Sequence, residues 1–193
     1  MMEKIPLRQV ILCEGKYDVI RLSALFDTLI LPTHGFQIYG DAQRRALFKR
    51  LAAQRGIVIA TDSDGAGFKL RAYLKGFLPA QQVWHVVMPA VPGKERRRDA
   101  SSKAGILGVE GMRTEALLSA FGSVIREQEA GGRQPEITKM DLYRDGFSGM
   151  PGCQARYRAL LRALDLPELL TANVFCACVF LDEYNEAKEK LGG

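Results

Sequence analysis

An alternation of short apolar runs with helical patterns is the feature that most constrains the fold of this chain. Runs of β-branched and small apolar residues predict strands at 9–13, 28–31, 56–61 and 83–88. Between these runs, apolar residues recur every three or four positions, which predicts helices that begin near Asp18, Asp41 and Gly65. Such repetition requires a parallel sheet with right-handed crossovers. Residues 1–128 are therefore predicted to form an α/β domain, with helices flanking a parallel sheet.

The pattern changes after a stretch rich in glycine. We assign residues 129–136 to a linker, because Gly131, Gly132 and Pro135 interrupt any regular element there. A last helix of the first domain is expected before it, around 114–127. Beyond the linker only helical patterns occur, namely a helix capped by Thr138, a basic helix at 154–164, a helix from Pro167 and a terminal helix at 182–191. Residues 137–193 are therefore predicted to form a small all-helical domain.

Composition narrows the class of protein. The net charge of +5 and the isoelectric point of about 9.1 mildly favour anionic partners such as nucleic acid. The four cysteines and two histidines lack the spacing of a zinc site, and free thiols suit a reducing compartment. No apolar segment approaches the roughly 20 residues of a membrane helix. We therefore expect a soluble, cytoplasmic protein with no membrane partner.

Three acidic residues stand where predicted strands end. Glu14 follows the first strand, and Asp62 and Asp64 follow the third. The carboxyl ends of parallel strands lie at one edge of a sheet, where α/β proteins bind ligands. Oxygen ligands without histidine or thiolate favour Mg²⁺ or Mn²⁺, so the pattern indicates a metal site for phosphoryl transfer. The alternative is structural: Asp64 caps the next helix, and Glu14 marks a turn.

Other sites of known chemistry are weaker or absent. The chain has no phosphate-binding P-loop motif and no complete dinucleotide fingerprint. His34 is predicted in a turn beside the crevice, where it either contacts substrate or serves the turn, and His85 lies within a strand. Glu110 is either a further acid near the site or a helix-start residue.

Two motifs together resemble the Toprim domain of topoisomerases, bacterial primases and several nucleases. The first is Glu14-Gly15-Lys16-x-Asp18, and the second is Thr61-Asp62-x-Asp64-x-x-Gly67. Within Toprim proteins the chain is most similar to the family of 5S ribosomal RNA maturases, ribonuclease M-five. The further matches are Thr33-His34-Gly35, the continuation of the second motif to Arg71, and Gly108-Val109-Glu110. The resemblance spans nearly the whole chain and is strongest at the Toprim motifs.

Four positions depart from the family pattern, and none of them is a carboxylate of the predicted metal site. Tyr17 stands where a second acid is common, His34 where asparagine is common, and Ser63 where proline is common. Gly111 follows the glutamate of the Gly-Val-Glu match. The resemblance therefore retains the metal-site chemistry in full.

The resemblance implies a role for each matching residue. Glu14, Asp62 and Asp64 would be the catalytic metal ligands, with Glu14 and Asp62 on one Mg²⁺ and Asp62 and Asp64 on a second, roughly 4 Å away. Contacts to RNA would come from Lys16, Lys69, Arg71, Arg96, Arg97, Arg98, Arg156 and Arg158, with Arg162 on the same helix as the last two. For each of these cations the competing interpretation is a solvated surface charge.

The expected function is that of a Mg²⁺-dependent endoribonuclease that cleaves double-stranded regions of precursor 5S ribosomal RNA. A 5S-binding ribosomal protein can assist within the family by folding the RNA. Two rival functions stay open from the sequence. One is a Toprim DNA nuclease or primase-like enzyme, and the other is a 5S rRNA-binding protein without catalysis.

Overall fold

A computed structural model of the protein describes residues 3–89, 108–129, 137–164, 166, 168, 170–179 and 181–192. The chain divides into two compact units, Met1–Gly131 and Gly132–Gly193. The predicted basic loop with Arg96, Arg97 and Arg98 lies outside the described residues, as do residues 130–136 of the predicted linker. The roles assigned to these segments stay predictions.

Parallel strands form the centre of the first unit. A short pair joins β1 (Ile5–Pro6) to β3 (Phe26–Asp27). The main sheet contains β2 (Val10–Cys13), β4 (Ile30–Pro32), β5 (Ile57–Thr61) and β6 (Val83–Val87), in the spatial order β4-β2-β5-β6. Every residue of β2 and β5 is buried, as expected for continuous apolar runs in a parallel sheet covered on both faces.

Helices cover both faces of this sheet. They are α1 (Lys16–Ser23), α2 (Ala42–Arg55), α3 (Gly65–Lys75), α4 (Thr114–Ala120) and α5 (Gly122–Glu129), with 3-10 turns at Gly35–Tyr39, Ala80–Gln82 and Val109–Gly111. On one face, Leu22 of α1 and Leu117 of α4 share a buried cluster with Ile11 and Val58 of the sheet. Right-handed crossovers place α2 and α3 on the other face.

The strand order reverses direction between β2 and β5. From β2 the chain passes through α1 to β4 on one side, and from β5 it passes through α3 to β6 on the opposite side. A crevice opens beyond the carboxyl ends of the strands at such a switch point, and open α/β sheets bind their ligands there. The residues that follow β2 and β5 are therefore the first candidates for a functional site.

The second unit is helical throughout its described part. It contains α6 (Lys139–Arg144), α7 (Cys153–Ala163), α8 (Ala172–Cys178) and α9 (Leu181–Lys190). Its interior includes Leu160, Phe175 and the ring of Tyr184, whose hydroxyl donates a 2.6 Å hydrogen bond to Asp145. A parallel sheet flanked by helices, followed by a helical part, confirms the predicted fold class. Among the described helices, none has the length and apolar character needed to cross a bilayer.

Three local predictions were wrong. Asp18 does not cap α1: Gly15 precedes the helix, and the Asp18 carboxylate accepts a 3.0 Å hydrogen bond from the Gly15 N–H. The helix expected at 114–127 is divided after Ala120, because Phe121 packs against Phe26 and is followed by a glycine, a weak helix former. The helix expected from Pro167, a residue outside the described part, begins only at Ala172.

Candidate active site

Glu14 links the carboxyl ends of the two central strands. It follows Cys13, the last residue of β2, and its Oε1 atom accepts a 3.0 Å hydrogen bond from the N–H of Asp62, directly after β5. Thr33, fully buried at the end of β4, holds the same turn by donating its hydroxyl to the Cys13 carbonyl at 3.1 Å. The switch point therefore fixes two carboxylates that are far apart in sequence.

Asp62 is tied to a segment much further along the chain. Its Oδ1 atom accepts a 2.9 Å hydrogen bond from the N–H of Val109, the first residue of a 3-10 turn. Arg21 of α1 holds the continuation of that turn, donating at 3.0 Å to the carbonyl of Met112 and to the hydroxyl of Thr114. The segment 108–114 thus closes one side of the carboxylate edge.

Asp64 caps α3, as the structural alternative predicted. Its Oδ1 atom accepts a 2.8 Å hydrogen bond from the N–H of Gly67, in the geometry of a helix N-cap. Gly67 also explains how closely the acids approach. A Cβ at this position would lie 2.4 Å from the carbonyl oxygen of Asp62 and 2.7 Å from Glu14 Oε1, so only glycine fits without displacement.

The carboxylates at this edge lie close enough together to raise the pKa values of Glu14 and Asp18. Burial and the negative charge of Asp62 raise the pKa of Glu14 to about 7, and Asp64 contributes in the same direction. Burial, together with the charges of Asp62 and Glu110, raises the pKa of Asp18 to about 6. The edge is therefore a region of concentrated negative charge, which divalent cations favour.

The donor set fits a hard divalent cation by its chemistry. Glu14 Oε1 and Asp64 Oδ1 accept backbone hydrogen bonds, whereas their second oxygens accept none from the residues that the structure describes. Carboxylate oxygens of this kind are ligands that Mg²⁺ and Mn²⁺ prefer. Within the described ranges, however, no three Asp, Glu, His or Cys side chains are yet gathered closely enough to form a metal group.

Two acids near the edge were undervalued from the sequence. Asp18 is only 8% exposed, and burial and the charge of Asp62 raise the pKa of its carboxyl. Its place before an apolar helical pattern had predicted a simple helix cap. Glu110 lies in the 3-10 turn Val109–Gly111 and is also close enough to Asp18 to raise its pKa. Membership of Asp18 in the Glu-Gly-Lys-x-Asp motif was the one available signal for its position.

The predicted RNA-contacting cations of the first unit fall into two groups. Lys16 is exposed at the first position of α1, and Lys69 is exposed at the fifth position of α3. Arg71 is instead half-buried, with one guanidinium nitrogen donating to the Thr61 hydroxyl at 2.7 Å and to the Val86 carbonyl at 2.8 Å. Arg71 thus joins β5 to β6, and its contact with RNA stays a prediction.

The second unit carries its basic residues on α7. Arg156 and Arg158 are exposed, and the Arg156 guanidinium lies 5.6 Å above the Phe147 ring while donating to the carbonyl of Asp145. Arg162 forms an exposed ion pair with Glu168 at 3.5 Å. In the first unit, His34 is exposed in a left-handed backbone conformation before the 3-10 turn Gly35–Tyr39. None of these contacts tests a role in RNA binding.

These features define a class of protein: a Toprim-type α/β domain with acids at its switch point, followed by a helical unit.

No family model matches the chain. Three curated relatives named Ribonuclease M5 are similar to it. The relative from Lactiplantibacillus plantarum is 32% identical over 155 residues, 80% of this chain and 77% of the relative. The Lactococcus lactis relative is 33% identical over 74% of this chain and 70% of its own length. The Bacillus subtilis relative is 30% identical over 80% and 76%. The chain therefore belongs to the ribonuclease M5 family.

Proposed function

We propose that this protein is a Mg²⁺-dependent endoribonuclease that cleaves double-stranded regions of precursor 5S ribosomal RNA during its maturation. The observation that carries the proposal is the hydrogen bond from the Asp62 N–H to Glu14 at the switch point of the sheet, where the charges of Asp62 and Asp64 also raise the pKa of Glu14, in a chain of the ribonuclease M5 family. Family membership supports RNA as the substrate. The cluster of oxygen ligands supports hydrolysis of a phosphodiester bond with a metal cofactor.

Each carboxylate would hold the cofactor from a different element. Glu14 would do so from the end of β2, Asp62 from the end of β5, and Asp64 from the first turn of α3. A cation held by these residues would supply an activated water and would offset the charge of the phosphate and the leaving oxygen. Thr33 and Arg21 keep the surrounding turns in place, so the ligands are positioned before substrate arrives.

The surroundings of the edge suit a phosphate group. The amino ends of α1 and α3 both begin at this edge, so the positive ends of two helix dipoles lie beside the place where a phosphate would bind. Lys16 adds a full positive charge on the first turn of α1, and Lys69 adds one on the second turn of α3. These groups would offset the repulsion between the acids and an approaching RNA backbone.

The remaining basic residues would bind the rest of the substrate. Arg156 and Arg158 on α7, together with Arg96, Arg97 and Arg98, would contact phosphates of the RNA, which an A-form helix presents by its shape. A 5S-binding ribosomal protein would assist by holding the RNA in a cleavable fold. We place this activity in the cytoplasm, where precursor ribosomal RNA is processed.

The test is cleavage of a precursor 5S RNA in Mg²⁺ by Asp62→Ala and Asp64→Asn variants. Both should lose at least about 100-fold in rate, since each removes a ligand of a charge-stabilising ion. Asp27→Asn is the matched control, because Asp27 is exposed on β3 and follows no strand of the main sheet. Undiminished cleavage by the first two variants would refute their roles. Preference for duplex DNA, or tight RNA binding without product at any divalent ion concentration, would refute the proposed activity.

A further inference from the structure

The guanidinium of Arg71 directs its terminal nitrogens at acceptors within the protein. Nη1 donates to the Ile59 carbonyl at 3.4 Å and lies 3.2 Å from His85 Nδ1. Nη2 donates to the Thr61 hydroxyl at 2.7 Å and to the Val86 carbonyl at 2.8 Å. Each terminal nitrogen carries two hydrogens, so these contacts use four of the five N–H donors of the guanidinium. The fifth, on Nε, is buried. Within the described part of the chain, Arg71 therefore keeps no exposed donor for an RNA phosphate.

His85 is suited to accept one of these bonds because its imidazole is neutral at neutral pH. Burial, together with the positive charges of Arg71 and Lys75, lowers the pKa of His85 below its usual range. A neutral imidazole has one nitrogen that accepts, and Nδ1 is that nitrogen when Nε2 carries the hydrogen. The contact between Arg71 and His85 is therefore a hydrogen bond rather than a repulsion between two cations.

The strands that Arg71 joins both end at the carboxylate edge. Ile59 and His85 are direct partners in the β5–β6 ladder, and Thr61 is the last residue of β5. Thr61 is only 1% exposed, and its carbonyl accepts a 3.4 Å hydrogen bond from the N–H of Met88, directly after β6. The guanidinium therefore fixes the end of β5 from α3.

The end of β5 in turn determines where Asp62 lies. Asp62 follows Thr61, and its N–H donates to Glu14 at 3.0 Å. A planar peptide bond joins Thr61 to Asp62, so a displacement of Thr61 also moves Asp62 and its bond to Glu14. Arg71 is close enough to Glu14 for their charges to interact, since burial lowers the pKa of the guanidinium and the charge of Glu14 opposes that shift. Arg71 thus acts on the carboxylate edge from inside the protein.

We propose that Arg71 is a positioning residue of the proposed metal site, which holds Asp62 in place through the Thr61 hydroxyl and does not bind RNA. This rests on the proposed function and deepens it, because it assigns Arg71 to metal binding rather than to substrate binding. The role requires a guanidinium, since a lysine ammonium is a single point charge with three donors and does not span acceptors on two strands. Lys69, exposed two residues earlier in α3, keeps its predicted contact with RNA.

The test is calorimetric titration with Mn²⁺ alone, together with kcat and KM for a precursor 5S RNA in Mg²⁺. Arg71→Lys and Thr61→Val should each weaken Mn²⁺ binding and lower kcat by about 10- to 100-fold, because groups that orient metal ligands contribute this much. KM for the RNA should stay unchanged, since no phosphate contact is lost. Thr61→Ser retains the hydroxyl and should bind Mn²⁺ like the wild type. The double variant should lose no more than the more impaired single variant, because the two groups form one contact.

The matched control is Lys75→Ala, which removes one positive charge from an exposed position one turn later in the same helix. It should change neither Mn²⁺ affinity nor kcat. All measurements are made where urea unfolding shows each variant to be folded. If Arg71→Lys does not fold, the comparison of Thr61→Val with Thr61→Ser decides.

Three results would overturn the proposal. They are wild-type Mn²⁺ binding by Arg71→Lys and Thr61→Val, additive losses in the double variant, and a raised KM for RNA with normal Mn²⁺ affinity. The last result would make Arg71 a contact for RNA. Failure of the wild type to cleave precursor 5S RNA, with the Mn²⁺ affinities as expected, would instead refute the proposed function, so the two failures are distinguishable.

Discussion

Replacing Gly67 by alanine tests how strictly the carboxylate edge is shaped. The added Cβ would lie 2.4 Å from the carbonyl oxygen of Asp62 and 2.7 Å from Glu14 Oε1, whereas ordinary contact begins at 3.4 Å. The Asp62 carbonyl must therefore shift by about 1 Å and the Glu14 carboxylate by about 0.7 Å before the methyl group fits. A displacement of about 1 Å near reacting groups costs on the order of 100-fold in rate. Forcing an extra methyl group into a packed site destabilises by about 1–3 kcal/mol.

Gly65→Ala provides the matched control. Gly65 is the first residue of the same helix, and a Cβ there meets no heavy atom within 4 Å. Alanine is a better helix former than glycine by up to about 1 kcal/mol. This variant should therefore keep wild-type cleavage and be as stable as the wild type or slightly more so.

The assay is kcat/KM for a precursor 5S RNA in Mg²⁺, with urea unfolding of each variant followed by circular dichroism. Rates are compared at a temperature where both variants are folded, so that loss of activity is separate from loss of fold. Gly67→Ala should lose both rate and stability, and Gly65→Ala neither. If Gly67→Ala cleaves and unfolds like the wild type, then the close approach of Gly67 to Glu14 has no functional meaning and the reasoning is refuted.

Three further predictions follow from the site. In EDTA, the free energy of unfolding should fall as pH rises from about 4.5 to about 7, because the carboxyl of Glu14 has a raised pKa in the folded state and its stabilising contribution is lost on ionisation. In urea unfolding at several pH values, the free energy of unfolding of Glu14→Gln should change less with pH than that of the wild type. Added Mg²⁺ should raise the melting temperature of the wild type but not of this variant. An equal pH dependence in both proteins would contradict the raised pKa of Glu14. Arg71→Ala should lower the free energy of unfolding by about 1–3 kcal/mol, because carbonyls of β5 and β6 lose a donor, whereas the exposed Lys69→Ala should weaken RNA binding without changing stability. RNA affinity should fall steeply between 50 and 200 mM salt, and Arg156→Ala with Arg158→Ala should flatten that dependence; a flat wild-type curve from filter binding would be inconsistent with phosphate contacts.

The strands and the helices of the first unit follow closely from the sequence. Apolar runs such as 56–61 specify a buried parallel strand with little ambiguity, and Asp41 caps α2 as expected. Asp64 caps α3, which was the structural alternative to a metal ligand. The division of the helix after Ala120 did not follow, because it depends on the packing of Phe121 against Phe26, nearly a hundred residues away. Helix propensity alone carries no information about such a contact.

The position of the acids at one edge of the sheet was predictable from the sequence, whereas their contacts were not, and their role as metal ligands stays a prediction. Glu14, Asp62 and Asp64 were identified because strand ends in a parallel sheet meet at one edge, and they lie there. The roles of Arg71 and Asp18 needed coordinates, since a sequence does not reveal whether a cation faces solvent or two strands, or whether an acid is buried. The donor of the hydrogen bond from Val109 to Asp62 is a backbone N–H, which every residue except proline has, so the amino-acid sequence does not indicate this contact.

The hydrogen bond between Asp62 and Glu14 spans 48 residues, and the one between Val109 and Asp62 spans 47. Contacts this distant in sequence close late in folding, after the intervening strands have paired. During synthesis, the hydrogen bond to Asp62 Oδ1 therefore cannot form until Val109 has left the ribosome. The full set of contacts at this edge therefore depends on the folding of the whole first unit, and neither strand end can form it alone.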